Sequence, residues 1–168
     1  MKIKNKINLK GGFHMMNVKV NRLDCSGCSQ DLRVYLKNLS FTVWYTTREA
    51  VEAAGNKKMF MAAVKDRNII FVADDIKSAN FTMPELESII WHEIGHIVMN
   101  TDDEKKADAF SINKVGLKTW RSAMVKSWMV ACEYSPSRKW SFSEKYDHRR
   151  KFVVEFLKEH NLRVPEWL

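Results

Sequence analysis

The chain has 168 residues, 45% apolar and 29% charged, with a formal net charge of +8. That length can bury a hydrophobic core without staples, and the composition excludes a disordered chain. No apolar run reaches the roughly 20 residues that cross a bilayer, and with three cysteines and no visible apolar signal segment a secreted disulfide scaffold is not expected.

The expected compartment is therefore a reducing cytoplasm. The positive charge is concentrated late in the chain, where 12 Lys and Arg face 6 Asp and Glu from Lys114 onward. Such a bias attracts nucleic acid or an acidic partner at long range. No run of basic residues is dense enough to mark a groove, so solubility is the simpler account.

Residues 1–14 are polar, lysine-rich and without apolar periodicity. They are expected to lie outside the fold, as a disordered tail or as a leader. The leader reading has a specific basis: Lys10-Gly11-Gly12 can be encoded by a ribosome-binding sequence just upstream of Met15 and Met16, either of which would then be the true start. Residues 15–168 are expected to form a single domain.

Leu32, Tyr35, Leu36 and Leu39 have the spacing of an amphipathic helix over Ser26–Leu39. Ser40–Thr46, rich in β-branched and aromatic residues, reads as a strand. The next segment, TREAVEAAG, is a short helix or turn that Gly55 can close. Met59–Val64 and Ile69–Asp74 are apolar runs separated by the polar KDRN, a hairpin signal whose turn lacks glycine.

Four helices follow. Thr82 and Pro84 start one over Pro84–Met99, closed by a left-handed Asn100. A second covers Asp103–Val115 and ends at Gly116. A third runs from Lys118 to Tyr134, before Pro136, and a fourth from Ser143 to His160, before Pro165. A small sheet followed by a run of helices is an α+β arrangement.

The first of those helices carries His92-Glu93-Ile94-Gly95-His96. Residues four apart share a helix face, so His92 and His96 can offer two imidazoles to one ion. Glu93 lies about 100° round from His92, beside such an ion without having to bind it. Two histidines and one further ligand leave a zinc ion an open position for water. A neighbouring carboxylate can then take the water's proton as it attacks a carbonyl.

Chance would produce HExxH in a chain of this length roughly 0.5% of the time, and here it falls within an apolar helix. The competing account is a pair of partly buried histidines bonded to carboxylates of the next helix. Gly95 costs about 1 kcal/mol relative to alanine, which makes sense where substrate or another backbone approaches that face.

A third ligand can come from Asp102–Phe110. Glu104 and Asp108 lie four apart on the next helix, so one can bind zinc while the other orients a histidine through its free N–H. Asp103 and Asp108 are substitutes for Glu104 as the ligand. Thr101-x-x-Glu104 also has the form of a capping box, which would turn Glu104 back onto its own helix.

HEIGH followed by EKKADAFSINKVG resembles the gluzincin metallopeptidases, and among them the small soluble M48-like and ImmA/IrrE-like proteins, whose pattern is HExGH followed by E-x-x-A-D/N-x-[FY]-A. The resemblance covers about Ile69 to Gly116. It implies a minimal zincin-like fold, with a small sheet packed on the active-site helix and further helices after it. It also implies His92, His96 and Glu104 as Zn2+ ligands, Glu93 as general base and Asp108 as the carboxylate supporting a histidine. The substrate would be a protein or peptide, added as an extended strand to a sheet edge supplied by MFMAAV or IIFVAD. A small basic chain of this kind suits a phage product working in the host cytoplasm.

Two other clusters carry possible chemistry. Cys25-Ser26-Gly27-Cys28 is a CxxC without a second ligand pair, so a structural role is expected, with disulfide formation under oxidation as the alternative. Tyr134, Tyr146, His148 and Arg149 are candidates to stabilise an oxyanion, against the plainer reading of a solvated helix face. The rival functions are a catalytically weak regulator that binds a protein or nucleic acid, and a metal-dependent hydrolase of a non-peptide amide.

Overall fold

The computed structural model describes residues 21–55, 61–64, 68–74, 76, 80–134 and 147–164. Residues 1–14, Tyr146 and the first residues of the expected Ser143–His160 helix lie outside them, as do the side chains of Cys132 and Tyr134. The chain is α+β and divides after Ser78 into two compact units, the first holding the sheet and the second, among the described residues, four helices.

The first unit runs β1 (Asn21–Arg22), α1 (Gln30–Asn38), β2 (Thr42–Thr46), α2 (Arg48–Gly55), β3 (Met61–Val64) and β4 (Ile69–Ala73). Its four strands lie in the order β1-β2-β4-β3. β2 pairs with β4 in parallel, and the other two pairings are antiparallel. β4 is interior, and four of its five residues are buried, as expected of a strand covered on both faces. Of the two segments expected to offer an edge, only β3 is at one among the described residues.

The β3–β4 hairpin pairs Val64 with Ile69 and Met61 with Val72. Asn68 takes φ 50 beside the turn, supplying the left-handed backbone for which no glycine is present. Val51 of α2 packs with Ala62, Phe71 and Ala73 on one face of the sheet. β1 has no counterpart in the sequence-based reading, because two residues are too short to carry a period.

The second unit is α3 (Met83–Val98), α4 (Glu104–Val115), α5 (Leu117–Tyr134) and α6 (Asp147–Glu159). Trp120, Met124 and Val125 of α5 and Val153 and Leu157 of α6 form its core, with Trp120 edge-on to Phe152 at 5.3 Å. Among the described residues, no helix is long and apolar enough to cross a membrane.

Candidate metal centre

α3 begins at Thr82, whose backbone N–H donates to Glu85 Oε2 at 2.7 Å. Glu85 also accepts from Lys126 Nζ at 2.7 Å and from the Ser122 hydroxyl, which ties the start of α3 to α5. Buried Ile90, Trp91 and Ile94 hold the helix in place.

Its other end is a Schellman turn. Asn100 adopts φ 45, its N–H donates to the Ile97 carbonyl, and the Thr101 N–H donates to the His96 carbonyl, each at 3.1 Å. That turn brings the Thr101 carbonyl 2.9 Å from His96 Nδ1. A carbonyl only accepts, so His96 carries its proton on Nδ1 and offers a lone pair at Nε2.

α4 starts one residue later than expected. Asp103 is its N-cap and accepts from the Lys105 N–H at 2.9 Å. Glu104 is therefore not the partner in a Thr101 capping box, because Asp103 already serves that helix end. Asp103, turned onto its own helix, is likewise not among the residues brought together with the histidines.

The two helices meet through small residues. A Cβ on Gly95 would stand 3.2 Å from Ala107 Cα and 3.1 Å from Phe110 Cβ. Of the two reasons considered for this glycine, the approach of another backbone is the one seen. One turn to either side, Ser111 Oγ donates to the Ser88 carbonyl at 2.7 Å, and Glu104 faces the histidines. The helices thus run antiparallel with their backbones close.

His92, His96 and Glu104 converge at this crossing. His92 Nε2 and His96 Nε2 are 3.1 Å apart. Glu104 Oε2 lies 3.2 Å from the first and 3.7 Å from the second. One donor atom from each residue lies within 4.8 Å of the others, and the three could hold a metal ion.

Asp108 sits behind His92, with Oδ1 2.8 Å from Nδ1, although bent off the ring's N–H axis. That carboxylate is a hub. It accepts from Trp120 Nε1 at 3.2 Å and pairs with His148 Nε2 at 2.7 Å. It also takes Arg149 in two-pronged fashion, Nε to Oδ2 and an Nη to Oδ1, each at 2.7 Å. The same guanidinium reaches Glu104 Oε2 at 3.2 Å. His148 and Arg149 thus pair with Asp108 and are partly buried, so they do not form the solvated helix face considered for them.

The electrostatics follow from this packing. Burial lowers the affinity of His92 for a proton, but Asp108 and Glu104 outweigh it and lift its pKa to about 9. Burial pushes Asp108 up, yet His92 and Arg149 hold it well below the usual carboxylate range. Glu93 is pushed upward by burial, partly offset by the charges of His92 and His96.

The donor set fits a cation. With Nδ1 of each histidine facing an acceptor, both Nε2 atoms and a carboxylate oxygen point at one region. Three acceptors so close repel one another unless a proton or metal ion lies between them. One imidazole–imidazole–carboxylate set is a donor chemistry that zinc takes.

Three supporting groups escape the sequence: the Thr101 carbonyl, Trp120, and the pairing of His148 and Arg149 with Asp108. Only the last left a trace, as a polar cluster of unassigned purpose. Comparison with protein-family models, curated proteins and solved structures finds no match.

Proposed function

We propose that the protein is a zinc-dependent metallopeptidase of the gluzincin kind, working in the cytoplasm on a protein or peptide. The observation that carries this reading is the convergence of His92 Nε2, His96 Nε2 and Glu104 Oε2 within 4.8 Å, with His96 Nδ1 held on the Thr101 carbonyl and Asp108 beside His92 Nδ1. These three residues would hold the ion. Bound there, zinc supplies Lewis acidity, polarising a carbonyl and acidifying water.

The protein's own groups do the rest. Glu93, buried beside the two histidines, takes the proton of the attacking water and passes it to the leaving amine. Its raised proton affinity suits both halves of that shuttle. Asp108 keeps the His92 ring turned toward the site, and Arg149 and His148 keep Asp108 in place.

The test combines zinc content with cleavage of a peptide library by the wild type and by Glu93→Gln. Zinc near one per chain in both, with cleavage at least about a hundredfold slower in the variant, is the expected result. Absence of zinc, or equal cleavage by both proteins, would sink the reading.

A further inference from the structure

Cys25-Ser26-Gly27-Cys28 lies between β1 and the Ser29 N-cap of α1, in the unit that does not carry the histidines. The Cys28 N–H donates to the Cys25 carbonyl at 3.0 Å, closing a four-residue turn. Such a turn keeps its first and fourth Cα within about 7 Å, and a disulfide spans roughly 4.4–6.8 Å. Both residues are present as thiols.

A common neighbour supports their proximity. The phenol of Tyr45 on β2 is pushed up first by burial and then by the charge of Cys25 and of Cys28. Both sulfurs therefore lie within electrostatic reach of one hydroxyl.

The two thiols differ in access. Cys28 is buried, at 5% exposure. Cys25 is half-buried and lines a cavity of about 730 Å3, and Cys28 is not among the lining residues. That volume lies in the range of about 300–1,000 Å3 typical of small-molecule sites. Arg22, Arg33 and Lys37 line the same cavity, and Asp24 is the one acidic residue with them. The Asp24 carboxylate is turned onto the Ser26 N–H at 2.9 Å. The wall therefore favours a negatively charged occupant beside a reachable thiol.

We propose that Cys25 and Cys28 form a reversible dithiol–disulfide couple that exchanges with a small anionic disulfide seated in this cavity. The Cys25 thiolate attacks one sulfur of R–S–S–R, giving Cys25–S–S–R and RS−, which takes up the proton Cys25 released. Cys28, deprotonated in turn, attacks Cys25 Sγ. The Cys25–Cys28 bond forms, the bond to R breaks, and the second RS− leaves and takes that proton. Two protein thiols are oxidised and one external disulfide is reduced to two thiols. The basic side chains hold the carboxylates of R, and burial of Cys28 assigns the first attack to Cys25. This couple does not depend on the metal centre.

The experiment treats the full chain with oxidised glutathione, which carries carboxylates, and with the neutral bis(2-hydroxyethyl) disulfide. Intact mass and peptide mapping locate each product and keep Cys132 apart. The wild type should lose two hydrogens and form the Cys25–Cys28 bond. Cys28→Ser should stop at the glutathione adduct on Cys25, while Cys25→Ser should leave Cys28 unmodified. Arg33→Gln with Lys37→Gln, both on exposed positions of α1, should slow the glutathione reaction about tenfold and leave the neutral disulfide's rate unchanged. A wild type that keeps both thiols, an adduct that forms equally on Cys28, or equal rates for the charged disulfide with and without the two cations would overturn the proposal.

Discussion

Gly95 and Ala107 bring two helices into near backbone contact: a Cβ on Gly95 would lie 3.2 Å from Ala107 Cα. Glu104 precedes Ala107 by one turn and Asp108 follows it directly, so this crossing point sets both carboxylates against the histidines.

Gly95→Ala should therefore cost stability, although alanine is the better helix former. The added carbon meets Phe110 Cβ at 3.1 Å as well as the Ala107 backbone, and neither is the loose end of a flexible side chain. Overpacking of about 1–3 kcal/mol outweighs the gain of about 1 kcal/mol in helix propensity. The expected outcome is a net loss of about 1 kcal/mol in urea unfolding. Zinc affinity should fall with it, because the carboxylates move with α4.

Asn100 holds the Schellman turn that presents the Thr101 carbonyl to His96. Asn100→Gly should be neutral or slightly stabilising, since glycine accepts φ 45 without strain. Asn100→Ala should lose about 1 kcal/mol and weaken zinc binding by freeing the His96 ring. Paired thermal melts, with and without zinc, separate the two effects.

Asp108→Asn leaves Arg149 and His148 facing a neutral amide. Breaking a buried pair of this kind costs about 3–5 kcal/mol, and, if His92 binds zinc as proposed, loss of its support should lower zinc affinity about 10–100-fold. Arg149→Lys should reproduce part of the loss, because an ammonium cannot span both Asp108 oxygens. Competition with a chromophoric chelator would measure each affinity, and unchanged affinity in both variants would deny the support role.

Acid should release α3 from α5. Burial raises the Glu85 carboxyl, but bonds from Lys126, Ser122 and Thr82 outweigh it and hold it at about 2. A lowered carboxylate adds stability that is present above its ordinary value near 4.5 and is lost as pH falls toward about 2. Glu85→Gln should be less stable at neutral pH, and the gap from wild type should close across that window. Denaturant midpoints taken at successive pH values would show it.

Much of this was legible because its causes are local. Thr82 and Pro84 mark the start of α3 and Asn100 its end through backbone preferences that neighbours do not alter. The two apolar runs on either side of KDRN specify a hairpin whose register only the structure supplies. The i, i+4 spacing puts His92 and His96 on one face of any helix that contains them.

What remained open in the sequence was long-range. Glu104 had two local uses, capping or crossing to the histidines, and spacing alone could not rank them. The choice depends on Asp103 taking the cap and on Gly95 admitting the α4 backbone. His148 and Arg149 meet Asp108 from 40 and 41 residues away, and no helical period links positions so far apart. The sequence by itself determined two imidazoles and a carboxylate on one helix. Only tertiary packing decided which acid faces them and what holds it, since contacts across helices depend on how closely the backbones approach.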